Sequence, residues 1–415
     1  MYSTSILSPI VPKHQALALT SMSGGNWWMT LDNDYHKSPL DFYMDPIDHL
    51  RVLLSSACDT TIRTIVATVL GAIIAPIDCN PIALRKTLRD KDFYLAKAMS
   101  RNPKEFFYDP PDNVAIRTSR PYPPYFKPKD GVCEHLSFRS PFIPVNPRLN
   151  NEYLSYKYNQ YAHARYWRHN DGPRPTICAI HGFVADYYWL NEWFFALPWF
   201  YNQGCDVLLY TMPFHGPRQS PYSLFSGHGF FSGGISRANE AFAQTVYDFR
   251  IFYNYLKQTI HAPKVGVMGI SLGGYTTAIL STIENDLSFA IPGVPVASIA
   301  DLLMEWFPLN KILQFVLKMR GRTIQDVREL LAVHCPLTYQ PIVPKERRMI
   351  FGGAGDRFAT PRHANLLWDH WDHCKIHWFP GSHLLHLDRG NYLRQIKTFL
   401  RGIDFLDSIP MYKIA

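Results

Sequence analysis

Ser271 sits in Gly269-Ile270-Ser271-Leu272-Gly273-Gly274, a G-x-S-x-G pattern. The preceding run, Lys264-Val-Gly-Val-Met-Gly269, favours extended chain, and Tyr275–Glu284 favours helix. A serine on a tight turn between a strand and a helix is a nucleophile elbow, its hydroxyl exposed at the end of a sheet. Such a turn strains the serine backbone and leaves no room for large residues beside it. Glycines two positions before and after, Gly269 and Gly273, let strand and helix approach closely. The turn also aims the next N–H, that of Leu272, at the space where a substrate oxyanion would form.

Two further groups follow in an order that suits the serine. Arg348-Met-Ile-Phe-Gly-Gly353 reads as a strand ending in Ala354-Gly355-Asp356, and the Thr360-Pro361 pair beyond it restarts a helix. Lys375-Ile-His-Trp-Phe379 reads as a strand ending in Pro380-Gly381-Ser382-His383. Upstream, Pro175-Thr-Ile-Cys-Ala-Ile180 reads as a buried strand ending in His181-Gly182-Phe183. Serine, acid and histidine therefore each fall at the C-terminal end of an expected parallel strand. Ser271, Asp356 and His383 are the candidate catalytic residues.

With these motifs the chain resembles the α/β-hydrolase superfamily over roughly residues 133–405. The Pro213-Phe-His-Gly-Pro-Arg218 loop and the Leu367-Trp-Asp-His-Trp371 helix resemble a poorly characterised branch of abhydrolase-domain proteins. The resemblance implies that the His181-Gly182-Phe183 loop is the first oxyanion loop, with Phe183 supplying the N–H that complements that of Leu272. It implies a serine hydrolase acting on a carboxylic ester, lipid-like in one reading, through an acyl-enzyme and with no metal or organic cofactor; an acyltransferase or thioesterase using the same triad, or a catalytically silent binding protein with this fold, are the alternatives.

The chemistry accounts for the residue types. A serine hydroxyl is a weak nucleophile until an imidazole takes its proton during attack. An aspartate fixes the tautomer of that imidazole and stabilises the imidazolium. Each N–H donor to the oxyanion is worth roughly 3–4 kcal/mol of barrier. Rivals exist for each role. Asp301 lies just after the preceding strand, where some superfamily members carry their acid, and His386 lies three residues beyond His383. His181 and His215 each precede a glycine near the site and suit loop-ordering hydrogen bonds. His363, His370, His373 and His377 cluster with Cys374, but no H-E-x-x-H or paired C-x-x-C motif accompanies them, so no metal site is expected.

The 415 residues are 47% hydrophobic, 18% charged and 14% aromatic, enough for a substantial globular core. The net charge of +8 is scattered apart from Arg85-Lys86, Arg89 and Lys91. Nucleic-acid binding needs a concentrated basic stripe and is not expected; weak attraction to anionic lipid fits the charge. Seven irregularly spaced cysteines, with Cys178 and Cys205 on core strands, suit a reducing setting. No basic segment followed by an apolar core marks the first thirty residues. A cytoplasmic protein, peripheral at a membrane if residues 45–77 lean on one, is expected.

The elements that must position these groups divide the chain in three: an extension over 1–132, a hydrolase region over 133–405 and a tail over 406–415. Residues 1–40 look irregular. Asp45-Pro46 makes a helix start. Thr64–Ile77 carries an apolar stripe at helical spacing but falls short of the ~20 residues that span a bilayer, and reads as a packed or interfacial helix. Residues 101–150 are rich in proline and tyrosine and read as an ordered wrap. Possible early strands lie near Glu134–Arg139 and Ala164–Arg168, followed by strands over 175–181, Cys205–Thr211, 264–270 and Ser288–Ala297. The Ala238–Gln258 helix presents Phe242, Val246, Phe249 and Tyr253 on one face. Alternating strands and helices predict a mostly parallel, doubly wound α/β sheet. Ile299–Gln340 interrupts it with two or three helical pieces, one starting at a Thr323–Asp326 capping box. As a lid, this insertion would offer Leu302, Leu303, Trp306, Phe307, Ile312, Phe315 and Val316 as an acyl-pocket wall.

Overall fold

A computed structural model describes residues 10–13, 25–37, 39–78, 81–184 and 187–406, without side-chain detail at 74–78 and 81–87. Ser21, Ser23, Gly24, Cys79, the Arg85 and Lys86 side chains, and the tail beyond 406 lie outside that description.

Among the described residues, nine strands form the main sheet: β1 Arg117–Ser119, β2 Gly131–Arg139, β3 Tyr161–His169, β4 Thr176–Ile180, β5 Asp206–Thr211, β6 Val265–Ile270, β7 Ala290–Gly293, β8 Met349–Gly353 and β9 Lys375–Phe379. They lie in the order β9-β8-β7-β6-β4-β5-β3-β2-β1. The six strands β4 to β9 run parallel, and β3, β2 and β1 continue the sheet antiparallel. This is the doubly wound sheet expected from the alternation of elements. The strand expected over Ser288–Ala297 is shorter, because Val294 takes a positive φ of 38° and turns the chain out of the sheet.

Every residue of β4, β5 and β6 is buried, as parallel strands covered on both faces must be. Alternate residues face opposite layers. Cys178, Ile180, Leu208 and Tyr210 pack into one core, and Ile177, Ala179, Val207 and Leu209 into the other.

The helices that matter here are α1 Pro46–Asp78, α2 Pro81–Met99, α3 Ile235–Asn254, α4 Leu272–Leu280, α5 Ile299–Glu305, α6 Leu309–Met319, α7 Ile324–Leu331, α8 Pro361–His370 and α9 Arg389–Gly402. Phe242, Val246, Phe249 and Tyr253 on α3 are buried. The helix ends in a wide turn over Tyr255–Thr259, where the Ile260 N–H bonds the Tyr255 carbonyl at 3.0 Å. The α7 capping box forms as Thr323 and Asp326 suggest.

Buried Glu240 on α3 ties the N-terminal segments to the body. It accepts from the Tyr94 hydroxyl of α2 at 2.7 Å and from the N–H groups of Val145 and Asn146 at 2.7 and 3.0 Å. Burial pushes its carboxyl up to about 7, against the pull of these donors. The proline-rich run is fastened in the same way, with Phe106 and Phe107 buried in the core.

Thr64–Ile77 corrects the sequence reading. It is not a short separate segment but the second half of α1, a continuous 33-residue helix. Within it Pro46–Ile73 is, by length and composition, long and apolar enough to cross a membrane. Asp45 opens the helix by accepting from the Asp48 N–H at 2.8 Å. In its first half the polarity is inverted relative to an ordinary surface helix. Ile47, Leu50, Leu53, Leu54, Ile65 and Val69 are exposed, whereas Ser55, Ser56 and Asp59 are buried. Thr60, Thr61, Thr64 and Thr68 bond the carbonyls four residues back, which satisfies their hydroxyls within the helix.

In the insertion, Trp306 packs on Ala67 and Leu70 of α1. Leu302 and Leu303 are half-buried against the core, while Phe307 and Phe315 are exposed.

Candidate active site

Ser271 joins β6 to α4 with φ 58° and ψ −115°, a combination that costs a non-glycine residue on the order of 1–3 kcal/mol. The surrounding packing holds it there. A Cβ on Gly269 would lie 2.1 Å from the Gly273 carbonyl oxygen, and one on Gly273 would lie 1.9 Å from that of Ile180. Glycine is therefore required at both positions flanking the serine. At Gly182 a Cβ would make only ordinary contacts, the nearest at 3.4 Å. The Ser271 N–H bonds Gly293 O of the neighbouring strand at 3.0 Å. Among the described residues the N–H groups of Leu272 and Phe183 have no acceptor.

Asp356 follows β8 on a loop and is buried. Its Oδ1 accepts from the N–H groups of Phe358 and Ala359, both at 2.9 Å. Its Oδ2 lies 2.7 Å from Nδ1 of His383, which follows β9. The carboxylate thus holds the proton on Nδ1 and leaves Nε2 as the basic nitrogen. The Phe358 ring stacks on the imidazole at 5.2 Å between centroids. Burial alone would disfavour the imidazolium, but Asp356, assisted by Asp59, outweighs it and holds His383 above the ordinary imidazole value. Burial raises the Asp356 carboxyl, against the pull of His383. No hydrogen bond joins Ser271 to His383 among the described residues. Parallel strands place all three residues at the same edge of the sheet.

No protein-family profile matches the sequence. Two Mycobacterium tuberculosis proteins, each described as uncharacterised, are 28% identical over 328 residues, 76% of this chain and 74% of theirs. Acetyl xylan esterase 1 from Thermoanaerobacterium superposes with a TM-score of 0.51 at 16% identity, over 76% of this chain and 93% of its own. The acetyl xylan esterase from Paenibacillus does so with a TM-score of 0.51 at 12% identity, over 75% and 94%. The chain has the α/β-hydrolase fold.

Within that fold the remaining candidates separate by their partners. Asp301 is buried in a two-pronged ion pair with Arg328, at 2.5 and 3.1 Å, and bonds Ser298 at the start of α5. It is committed to structure. His386 lies between His383 O and the Tyr392 hydroxyl, both at 3.2 Å, among Phe194, Phe351 and Phe379. Burial drops its imidazole to about 3. His181 Nε2 accepts from the Met212 N–H at 3.0 Å, so its Nδ1 donates to Gly182 O at 2.7 Å. That ring is buried and held down to about 4, fixing the turn before Phe183. His215 donates through Nδ1 to Pro213 O at 2.8 Å and packs edge-on against Phe183. Arg218 of the same loop is wholly buried and bonds Asp248 at 2.6 Å. His370 bonds Tyr339 O at 2.9 Å, and His373 lies 3.3 Å from Asp369. A cavity of about 400 Å³ lined by Trp27, Arg101, Thr338 and Tyr339 includes none of the candidate catalytic residues, so volume does not mark the site.

Sequence reasoning missed the groups that hold the acid and histidine loops. Trp306 of the insertion donates to Phe358 O at 2.8 Å. From α1, Ser56 donates to Gly355 O at 2.8 Å and Arg63 to Arg357 O at 2.6 Å. Asp59 accepts from both loops. A signal was present: Ser56, Asp59 and Arg63 form a polar stripe at helical spacing on an otherwise apolar segment.

Proposed function

We propose that the protein is a serine hydrolase that cleaves a carboxylic ester through an acyl-enzyme. The observation carrying this reading is the buried 2.7 Å pair of Asp356 and His383 at the sheet edge that bears the strained elbow of Ser271. In the mechanism, His383 Nε2 takes the Ser271 proton as the hydroxyl oxygen attacks the ester carbonyl. Asp356 stabilises the imidazolium, and the open N–H groups of Phe183 and Leu272 receive the oxyanion. The imidazolium then protonates the departing alcohol, and water activated by the same nitrogen releases the acid. The Ser271–His383 hydrogen bond would form with substrate in place, since such contacts tighten in the complex. Esterase activity in the two structural neighbours accords with this chemistry.

A lipid-like acyl ester is the substrate class that best suits the surroundings. The apolar insertion beside α1 would supply the acyl wall, through Leu302, Leu303 and Trp306, with Phe307 and Phe315 at its outer side. The exposed apolar face of α1 would give peripheral contact with a membrane.

A fluorophosphonate probe should label Ser271 covalently, with Ser271→Ala unlabelled while folding normally. Labelling that survives in the variant, or maps by peptide mass to another residue, overturns the proposal.

A further inference from the structure

Asp59 is buried in the middle of α1, 297 positions before Asp356 in the chain, and its carboxylate is shared between the two loops of the site. Oδ1 accepts from the Ser382 hydroxyl at 2.8 Å and the Leu384 N–H at 3.3 Å. Oδ2 accepts from the His383 N–H at 2.8 Å and the Arg357 N–H at 3.1 Å. Four donors from two loops meet one side chain. These donors are neutral, and a buried carboxylate stripped of such bonds is strongly disfavoured, so the loops and Asp59 hold one another in place. Nearby glycines show how close the approach is. A Cβ on Gly355 would lie 2.8 Å from Ser56 Oγ and 3.0 Å from Val52 O of α1. Glycine is needed there for the helix to reach the loop.

We propose that Asp59 is a positioning residue for the reaction, setting the spacing of Asp356 and His383 by bonding the backbone beside each, so that α1 completes the active site. The inference rests on the serine-hydrolase reading. A shift of about 1 Å in a reacting group can cost on the order of a hundred-fold in rate, and a single side chain here governs the placement of both members of the pair. Asp59 also adds negative charge near His383. Among the described residues, the other titratable groups that act on that ring are Asp356 on the acid loop and His386 on its own loop, and Arg63, which donates to Arg357 O, interacts with Asp356 and Asp59 in turn.

The test uses the full chain with Asp59→Asn, Asp59→Ala and Ser382→Ala. Fluorophosphonate labelling of Ser271 is followed as a rate per active site across pH, with thermal midpoints recorded in parallel. The expected result is labelling slower by about a hundred-fold in Asp59→Ala and by less in Asp59→Asn. The rise of rate with pH should move to lower pH in both, because the imidazolium loses a neighbouring negative charge. Ser382→Ala should slow labelling without moving the pH midpoint, and it decides the question if both Asp59 variants fail to fold. Wild-type rates with an unmoved midpoint in a folded Asp59→Asn overturn the inference. So does a wild-type rate in Ser382→Ala when the Asp59 variants are unfolded. Titration of His383 by nitrogen NMR, assigned with His383→Gln, needs no turnover. If wild type is not labelled yet the His383 titration moves in Asp59→Asn, the hydrolase reading fails and the link from Asp59 to His383 stands.

Discussion

His383 is held between two carboxylates, one bonded to its ring and one to its backbone. That arrangement sets how the site responds to pH. In the proposed mechanism the reactive form is the neutral imidazole, and the folded protein raises its titration above the ordinary value of ~6.5. Hydrolysis of a soluble activated ester should therefore rise with pH along a limb centred above that value. A limb centred well below it would remove His383 as the base. Asp356→Asn keeps the size of the side chain but lets Nδ1 accept instead of donate, so kcat should fall by about ten-thousand-fold with little change in thermal midpoint. An unchanged kcat would take Asp356 out of the mechanism. At this scale the sequence was most legible where chemistry and turn geometry coincide: a serine flanked by glycines, and an acid and a histidine just past strand ends. It was silent on the partners of Asp59, because a polar stripe of Ser56, Asp59 and Arg63 marks a helix face but gives no sign of which distant loops will bond it.

The strands were legible as elements because β4 to β6, buried on both faces, read as near-continuous apolar runs. The antiparallel edge was not fully legible: Arg117–Ser119 is three exposed residues that pair only because β2 lies alongside. The length of α1 was hidden for a different reason. Asp59, Thr60, Thr61 and Arg63 interrupt the apolar pattern at its centre, yet the threonines bond back into the helix and the charged pair turns inward to the loops. A helix whose first half buries Ser55, Ser56 and Asp59 while exposing its leucines defeats periodicity rules that assume the reverse. The outer face carries the proposed lipid contact. Removing residues 1–100 would test it badly, since Asp59 and its bonds would go too. Leu54→Ser with Ile65→Ser, both on exposed positions, should reduce co-sedimentation with anionic phospholipid vesicles several-fold. Labelling of Ser271 in solution should stay at the wild-type rate. Vesicle binding equal to wild type would remove α1 as the contact.

Among the described residues, several histidines outside the proposed triad are held neutral by burial, and together they set the protein's tolerance of acid. His163, His334 and His386 are lowered to about 3 and His181 to about 4, chiefly by burial. Their unfolded values are near ~6.5, so below that pH the unfolded chain binds protons that the folded one refuses. Each such group removes roughly 1 kcal/mol of stability per pH unit between its unfolded and folded values. Glu240 acts in the opposite sense: raised to about 7, it is protonated in the folded state first and gains stability as pH falls from 7 towards its unfolded value. His383, raised when folded, likewise stabilises the protein at lower pH and loses that contribution as pH rises through its folded value. Buried Asp248, Asp356 and Asp369 are raised as well and act with Glu240, whereas His215, His370 and His377 are lowered and add to the four histidines. In the unfolded chain the histidines titrate nearest neutrality, so the expected net effect just below ~6.5 is destabilising. Urea unfolding at pH 7.5 and pH 5 should show a lower midpoint at pH 5 with proton uptake on unfolding. His334→Phe should recover part of the loss, because its ring lies stacked on Phe242 with an unpartnered Nε2 among the described residues. A midpoint independent of pH over this interval would mean that these rings are not held neutral by burial, and with them would go the packing of the loops around the site.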